Sequence, residues 1–329
     1  MKKNILQNLV KCVAIVGLAA LVVATSPREG NQQAQMKRIG ILQLADHGSL
    51  SAAREGFVYR LAELGYIEGH NVQFTYLNAH GDQSNLQIMA QRIVSEQPDL
   101  IFTISTPASQ AAANETSEIP ILTSAVTSLV NANLIESNEM PGTNVSGTSD
   151  MAPVDEQIAL LRELAPHATR LGFIFNSSEA NSMLQVSMAE IEAQKHGFET
   201  TQITVANTND VAQAMQALVT RVDVIYIPSD NTMSSAMATV GQIAAEHGIP
   251  VVTGSVTAAR TGGLATVGID YFKLGAQTAD MAVDIFENGA QPQTMPIQFQ
   301  EETFVVINEE MVEALGFLIP QSIRDRGQQ

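Results

Sequence analysis

Two short stretches of the chain read almost alike: Gln97-Pro-Asp-Leu-Ile-Phe102 and Arg221-Val-Asp-Val-Ile-Tyr226. Each is a turn followed by an apolar run, which is typical of a buried strand in a parallel sheet. Further along, Ile119-Pro-Ile-Leu-Thr123 has a similar counterpart in Ile249-Pro-Val-Val-Thr253. Because these stretches recur in the same order, we predict two copies of one strand-and-helix unit.

The apolar periodicity around these stretches predicts strands that alternate with helices in both copies. The first copy has predicted strands at 38–44, 72–77, 100–104 and 119–123, and helices at 51–64, 86–94 and 108–116. The second has strands at 171–175, 198–205, 222–227 and 248–253, and helices at 182–196, 211–219 and 233–247. Such alternation forms parallel sheets covered on both faces. The predicted fold class is α/β, with two similar doubly wound parallel-sheet lobes.

The predicted domain organisation has four parts. They are an export signal peptide at 1–24, a linker at 25–36, lobe 1 at 37–150 plus about 271–300, and lobe 2 at 151–270 plus about 301–329. Crossings between the lobes are predicted at 141–150, at 262–270 and where 295–296 leads into a strand at 304–307. Several crossings make a hinge, because few residues absorb the rotation while each sheet moves rigidly. The helix predicted at 272–286 is expected to return to lobe 1.

The first residues have the pattern of an export signal. Lys2, Lys3 and Lys11 precede an uncharged, mostly apolar stretch that ends near small residues. This stretch is shorter than the roughly 20 residues that span a bilayer comfortably. We predict cleavage after Ala24, and an uncleaved N-terminal membrane anchor is the alternative.

Composition and charge exclude several classes of protein. The 329-residue chain has a formal net charge of −17, and so acidic a surface repels nucleic acid. With Cys12 as the single cysteine and six scattered histidines, the sequence predicts no disulfide, no metal site and no cofactor.

Enzyme signatures are missing from the sequence. It contains no dinucleotide-binding glycine motif, no phosphate loop and no nucleophile elbow. We therefore predict that the protein is not an enzyme and has no catalytic residues. An exported glycosidase with two carboxylates in a cleft is the alternative that stays open.

Polar residues follow the carboxyl ends of the predicted strands, where open parallel sheets bind ligands. If two lobes face each other, both sets meet in one cleft. The candidate ligand-binding residues are His47, Ser105, Thr106 and Thr127 in lobe 1, and Asn176, Ser177, Glu179, Asn181, Ser182, Asp230, Asn231, Thr232 and Ser255 in lobe 2.

These residue types suit a small zwitterion. Ser105 and Thr106 precede a helix, whose free N–H groups suit a carboxylate. Asp230 is the best-placed acid of lobe 2, and its natural partner is an ammonium group. The ligand is therefore predicted to be a free amino acid or a close relative. Helix capping is the alternative role for Ser105, Thr106, Ser182 and Asp230.

Several motifs together carry a resemblance to a known family. They are Arg54-Glu-Gly-Phe57, Thr106-Pro-Ala-Ser-Gln-Ala111, Asn144-Val-Ser-Gly147, Asn176-Ser-Ser-Glu-Ala-Asn-Ser182, Pro228-Ser-Asp-Asn-Thr232 and Gly268-Ile-Asp-Tyr271. The chain resembles the exported solute-binding proteins of ABC importers, in the group that includes tryptophan- and phenylalanine-binding members. The resemblance implies a periplasmic-binding-protein type I fold that closes on a solute and docks onto a membrane permease.

The resemblance also implies residue roles. Asn181, Ser182, Asp230, Asn231 and Thr232 would hold the amino-acid head group from lobe 2. The chain departs from the family at Thr127-Ser-Leu-Val130, where relatives commonly have Asp-Pro after the threonine.

The absence of a lipid-attachment cysteine implies a freely soluble periplasmic protein. We expect a monomer, because a clamp must open. A sensor that presents the bound amino acid to a signalling membrane protein is the alternative to an importer component.

Overall fold

The computed structural model describes residues 36–328. The predicted export signal, and the predicted linker up to residue 35, lie outside the described residues. No helix within 36–328 is long and apolar enough to cross a membrane.

Lobe 1 is built on a five-stranded parallel sheet. Its strands are β1 (Lys37–Gln43), β2 (Val72–Asn78), β3 (Leu100–Ile104), β4 (Ile121–Val126) and β5 (Val145–Ser149), in the order β2-β1-β3-β4-β5. The first four strands are connected through helices α1 (Gly48–Glu63), α2 (Gln83–Ser95) and α3 (Thr106–Glu115). Strands β3 and β4 are buried at every position, as expected for a sheet covered on both faces.

Lobe 2 repeats this order. Strands β6 (Arg170–Asn176), β7 (Glu199–Val205), β8 (Val224–Ile227), β9 (Val251–Thr253) and β10 (Ala265–Gly268) are parallel, in the order β7-β6-β8-β9-β10. Its helices are α4 (Val154–Leu164), α5 (Ala180–Lys195), α6 (Val211–Val219), α7 (Asn231–Ser235), α8 (Met237–His247) and α9 (Val256–Thr261). The predicted α/β class with two similar parallel-sheet lobes is confirmed.

The C-terminal part of the chain visits both lobes. Helix α10 (Tyr271–Asn288) packs on α1 of lobe 1, and a short 3₁₀ helix follows at Pro292–Thr294. Strand β11 (Phe304–Ile307) then pairs antiparallel with β10, and α11 (Glu309–Leu315), α12 (Gln321–Arg324) and strand β12 (Gly327–Gln328) complete lobe 2. Within the described residues the chain thus passes between lobes after β5, after β10 and before β11.

Two glycines allow α1 and α10 to touch through their backbones. A Cβ atom on Gly56 would lie 1.9 Å from the Phe272 carbonyl oxygen, and one on Gly275 would lie 1.8 Å from that of Ala53. On the solvent side of the same helix pair, Arg60 donates to Asp280 at 2.9 Å. Helix α10 is therefore an integral part of lobe 1, although it follows most of lobe 2 in the sequence.

Several elements differ from the sequence prediction. Residues 265–268, predicted to lie in a crossing, form β10, and helices α4 and α9 were not predicted. Residues 145–149 form β5, although their polar composition suggested an irregular crossing. The polar side chains are satisfied internally, since Ser146 donates to the Met295 carbonyl oxygen at 2.7 Å and Thr148 contacts Thr278 at 3.0 Å. The single helix predicted at 233–247 is two helices. The break follows Ser235, whose hydroxyl donates to the Asn231 carbonyl oxygen at 2.8 Å, and such back-bonding bends helices.

Candidate ligand-binding site

A small cavity lies between the lobes, at the carboxyl ends of the strands. Its lining consists of His47, Ser49, Leu50, Ala125 and Thr127 from lobe 1, Asp150 and Tyr271 from the crossings, and Asn181, Ser229, Asp230, Asn231, Ser234 and Ser255 from lobe 2. None of these described residues is Lys or Arg. The cavity therefore has acidic groups and no cationic side chain to balance them.

A wider groove runs along the hinge between α9 and α10. Charges of both signs line it, among them Arg260, Lys273 and Asp280. The groove is open to water, and water and salt screen exposed charges. The enclosed cavity is therefore the better candidate site.

Asp230 is buried in the lobe 2 wall and is already held by its own lobe. Its Oδ1 accepts from the Met233 N–H at 2.7 Å, which caps α7. Its Oδ2 accepts from the Asn176 N–H and the Ser182 hydroxyl, both at 2.7 Å. Asp230 thus caps a helix and lines the cavity at the same time. Burial and the nearby Glu179 carboxylate raise the pKa of Asp230 to about 8.

Glu179 lies directly behind this wall and is only 1% exposed. Its Oε1 accepts from the Thr232 N–H at 3.1 Å and from the Thr232 hydroxyl at 3.0 Å. Its Oε2 accepts from the side-chain amides of Asn181 and Asn231 and from the Asn231 N–H at 3.1 Å. Five donors therefore surround one buried carboxylate.

His47 joins the two lobes across the cavity. Its Nε2 lies 3.1 Å from Asn231 Oδ1, which belongs to lobe 2. Burial lowers the pKa of His47 to about 4, so the ring is neutral at physiological pH. Its Nδ1 is buried and has no protein partner.

The hinge side of the cavity contains a second buried acid. Asp150 accepts from the Thr127 hydroxyl at 3.0 Å and from the Tyr271 hydroxyl at 2.7 Å. Burial raises the pKa of Asp150. Asp150 begins the crossing after β5 and Tyr271 ends the one after β10, so their hydrogen bond connects the two crossings beside the cavity.

Lobe 1 has strained backbone and unpaired hydroxyls at and near the cavity. Ser105 has φ +105° and Ala125 has φ +57°, values that favour glycine. Such strain concentrates at ligand-binding sites. The Ser105 hydroxyl accepts from the Ala108 N–H at 3.3 Å and so caps α3, while the buried hydroxyls of Thr106 and Ser49 have no protein partner.

The structure brings six of the predicted site residues to the cavity lining: His47, Thr127, Asn181, Asp230, Asn231 and Ser255. Four others support that lining from behind: Asn176, Glu179, Ser182 and Thr232. Ser105 and Thr106 are buried at the start of α3 and do not line the cavity. Ser177 is exposed and lies apart from it.

Seven lining residues were not among the thirteen candidate ligand-binding residues: Ser49, Leu50, Ala125, Asp150, Ser229, Ser234 and Tyr271. Of these, Ser49, Ala125 and Ser229 lie at predicted strand ends, and Tyr271 follows a predicted crossing. Strand-end position was the available signal for most of them. Asp150 directly follows β5, so predicting that strand would have placed its carboxylate at the cleft.

Two duplicated lobes, a hinge of three crossings and an enclosed polar cavity at the strand ends define a ligand-binding protein of the periplasmic-binding-protein type I fold. The chain belongs to the ABC transporter substrate-binding protein family, whose model matches residues 38–329. The predicted family is thereby confirmed, and its members are substrate-binding proteins rather than enzymes.

Individual relatives extend this assignment. The chain is 39% identical to the tyrosine-binding protein of Clostridioides difficile (strain R20291), over 89% of this chain and 84% of that protein. The ABC domain in complex with L-Trp from Streptococcus pneumonia is 34% identical, with a TM-score of 0.86 over 90% of this chain and 99% of that one. A ligand-free, open substrate-binding protein with adhesive properties from Clostridium difficile is 42% identical, with a TM-score of 0.66 over 87% and 96%.

Of these two solved structures, the one with the higher sequence identity to this chain has the lower TM-score. This chain superposes better on the tryptophan complex than on the open protein, although it is less identical to the former. The direct contact of His47 with Asn231 also places the lobes close together. The arrangement of the lobes is therefore nearer to that of the ligand-bound relative.

Proposed function

We propose that this protein binds a free amino acid with an aromatic side chain between its lobes and delivers it to an ABC permease for import. The observation that carries the proposal is the charge of the cavity. Asp150 and Asp230 line it without any lysine or arginine. Burying a carboxylate without a counter-charge is costly, so a ligand with an ammonium group complements this lining.

An aromatic side chain suits the rest of the lining. Leu50, Ala125 and the ring of Tyr271 are the apolar contributions among mostly polar neighbours. Small-molecule binding sites commonly combine apolar walls with a few polar groups that fix orientation. The names of the tyrosine-binding relative and of the tryptophan complex support the same class of ligand.

The importer role rests on the family and on the expected export signal. Substrate-binding proteins of ABC transporters act outside the cytoplasm, and the chain begins with the basic and apolar pattern of an export signal. A periplasmic location and an inner-membrane permease as partner complete the proposal, with the protein acting as a monomer.

A thermal-shift panel of free amino acids tests the ligand class. A ligand that binds only the folded state at about 100 times its Kd stabilises the protein by about 2.7 kcal/mol. We expect tyrosine, tryptophan or phenylalanine to raise the Tm most. The matched control is 3-(4-hydroxyphenyl)propionate, which lacks only the ammonium group of tyrosine and should not raise it. A panel without any amino-acid-dependent shift would contradict the proposal.

Uptake tests the importer role separately. A strain that lacks the gene should lose high-affinity uptake of the labelled amino acid that binds best. The wild-type gene should restore it, while Asp230→Asn should not. Unchanged uptake in the deletion strain would argue against an importer role.

A further inference from the structure

We propose that Glu179, which does not itself line the cavity, is a positioning residue that fixes two hydrogen-bond acceptors, Asn181 Oδ1 and His47 Nδ1, toward the ammonium group of the ligand. This inference rests on the proposed amino-acid function. It concerns how the site distinguishes an amino acid from a ligand without an ammonium group.

The hydrogen bonds of Glu179 all end on its two oxygens. Five N–H and O–H donors, from Asn181, Asn231 and Thr232, point at these oxygens. In all five bonds Glu179 is therefore the acceptor.

The first consequence is the orientation of Asn181. Its Nδ2 donates to Glu179 Oε2 at 3.2 Å and to the Ser229 carbonyl oxygen at 2.8 Å. Both partners accept only, so the amide cannot turn over without losing both bonds. Asn181 Oδ1 is therefore the atom left without a protein partner, and the residue lines the cavity while only 5% exposed.

The second consequence is the position of the proton on His47, in lobe 1. Glu179 holds Asn231 Nδ2, so Asn231 Oδ1 is the atom that meets His47 Nε2 at 3.1 Å. An amide oxygen accepts, so Nε2 must carry the proton of the neutral ring. Nδ1 of His47 is then a lone-pair acceptor, buried and without a protein partner.

Glu179 thus leaves an unpaired acceptor atom on each of two separate elements. Asn181 Oδ1 lies at the start of α5 and His47 Nδ1 lies just before α1, so they approach the cavity from opposite lobes. Together with the Asp230 carboxylate they offer acceptors of the kind that an ammonium group, with its three N–H donors, requires.

The test uses Glu179→Gln in the full chain, because glutamine keeps the shape but can donate. Either asparagine can then turn its oxygen toward the new amide. We expect the affinity for tyrosine to fall at least about tenfold, as for a lost buried hydrogen bond. The preference for tyrosine over 3-(4-hydroxyphenyl)propionate should shrink as well. A purely structural role would weaken both ligands equally and leave their ratio unchanged.

Histidine tautomers provide a second readout. In wild-type protein saturated with tyrosine, ¹⁵N NMR should show His47 protonated at Nε2 and not at Nδ1. In Glu179→Gln under the same saturation, the Nδ1–H form should appear. Glu163→Gln, an exposed residue of the same lobe paired with Arg326, is the matched control and should change neither the tautomer nor the ligand ratio.

His47→Phe keeps the test decisive if Glu179→Gln does not fold. This variant removes the acceptor from lobe 1 and leaves the Glu179 contacts intact, so tyrosine affinity should again fall at least about tenfold. Wild-type protein that binds no amino acid would contradict both proposals. Normal wild-type binding with an unchanged ligand ratio and tautomer in Glu179→Gln, or with unchanged affinity in His47→Phe, would overturn this inference alone.

Discussion

The two walls of the cavity differ in their carboxyl groups, although each wall also has a buried polar atom without a protein partner, Asn181 Oδ1 in lobe 2 and His47 Nδ1 in lobe 1. Lobe 2 presents Asp230, whose oxygens are bonded by donors of its own lobe, with the equally saturated Glu179 behind it. Lobe 1 presents Ser49 and His47, which have buried polar atoms without protein partners, on a wall where the backbone at Ala125 is strained.

This difference indicates that the two lobes contribute differently to ligand binding. Lobe 2 holds its carboxyl groups in place before a ligand binds, since donors of the same lobe fix them. His47 and Ser49 of lobe 1, and Asn181 of lobe 2, have hydrogen bonds that are incomplete until something fills the cavity, because buried polar groups are otherwise almost always paired. The following predictions test this contrast.

The largest effect is expected from removing the lobe 2 charge. Asp230→Asn retains a residue that caps α7 well but cannot balance a buried ammonium. We expect the affinity for the amino acid to fall about a hundredfold or more, as for loss of a buried charge partner. Isothermal titration calorimetry measures the change. Asp223→Asn, in the same lobe and paired with Arg170 at the surface, should leave affinity near that of wild type.

The next effect concerns the packing of lobe 1. Gly275→Ala puts a Cβ atom into the Ala53 carbonyl oxygen, so α1 and α10 must move apart. The free energy of unfolding should fall by about 1–3 kcal/mol, the usual cost of overpacking. Urea unfolding of the ligand-free protein measures it. An unchanged midpoint would show that the two helices are not locked together by this contact.

The pH dependence involves one group from each wall. Burial raises the pKa of Asp230 to about 8, and a bound ammonium favours its charged form, so binding below that pH releases a proton. Burial lowers the pKa of His47 from 6.5 to about 4, so closure also favours loss of its proton. Proton release from Asp230 and from His47 both favour binding at higher pH. The affinity should therefore rise between about pH 5.5 and 8, by at most about tenfold per pH unit for each proton released.

Calorimetry in buffers with different ionisation heats counts the released protons. His47→Phe should abolish the proton release from His47 and leave the proton release from Asp230. Affinity that falls as the pH rises over this range would contradict the assignment of charge to the lobe 2 wall.

The smallest effect comes from the contact between the lobes. Gly48 begins α1, and a Cβ atom there would lie 2.3 Å from Thr257 Cγ2 of lobe 2. Gly48→Val should therefore hinder closure and lower ligand affinity about tenfold, within the cost range of a steric misfit. The stability of the ligand-free protein should change little. Thr257→Ala in the same chain makes room and should restore most of the affinity. Failure of this rescue would show that the contact does not limit closure.

The fold could be predicted because duplication and burial leave strong traces in sequence. Apolar runs such as Leu100–Ile104 are covered on both faces, and their recurrence in lobe 2 exposes the repeat. Strand β5 was not predicted because it contacts the core through hydrogen bonds of Ser146 and Thr148 rather than through apolar side chains. The same composition in a loop would look identical.

The candidate site was predicted only in outline, for a related reason. Strand ends indicated where the polar groups gather, but sequence cannot say which polar group faces the cavity and which one supports it. Glu179 was predicted to contact ligand and lies behind the wall, whereas Asp150 lines the cavity and was missed. Separating such pairs requires side-chain directions, which depend on tertiary packing.

The late position of α10 in the chain affects when the protein can fold during its synthesis. Helix α10 covers the surface of α1 around Gly56. The ribosome completes this helix only at about Asn288, after the five parallel strands of lobe 2. Neither half can mature as a contiguous segment during synthesis. A nascent chain of this topology therefore stays incompletely folded until nearly its last residues.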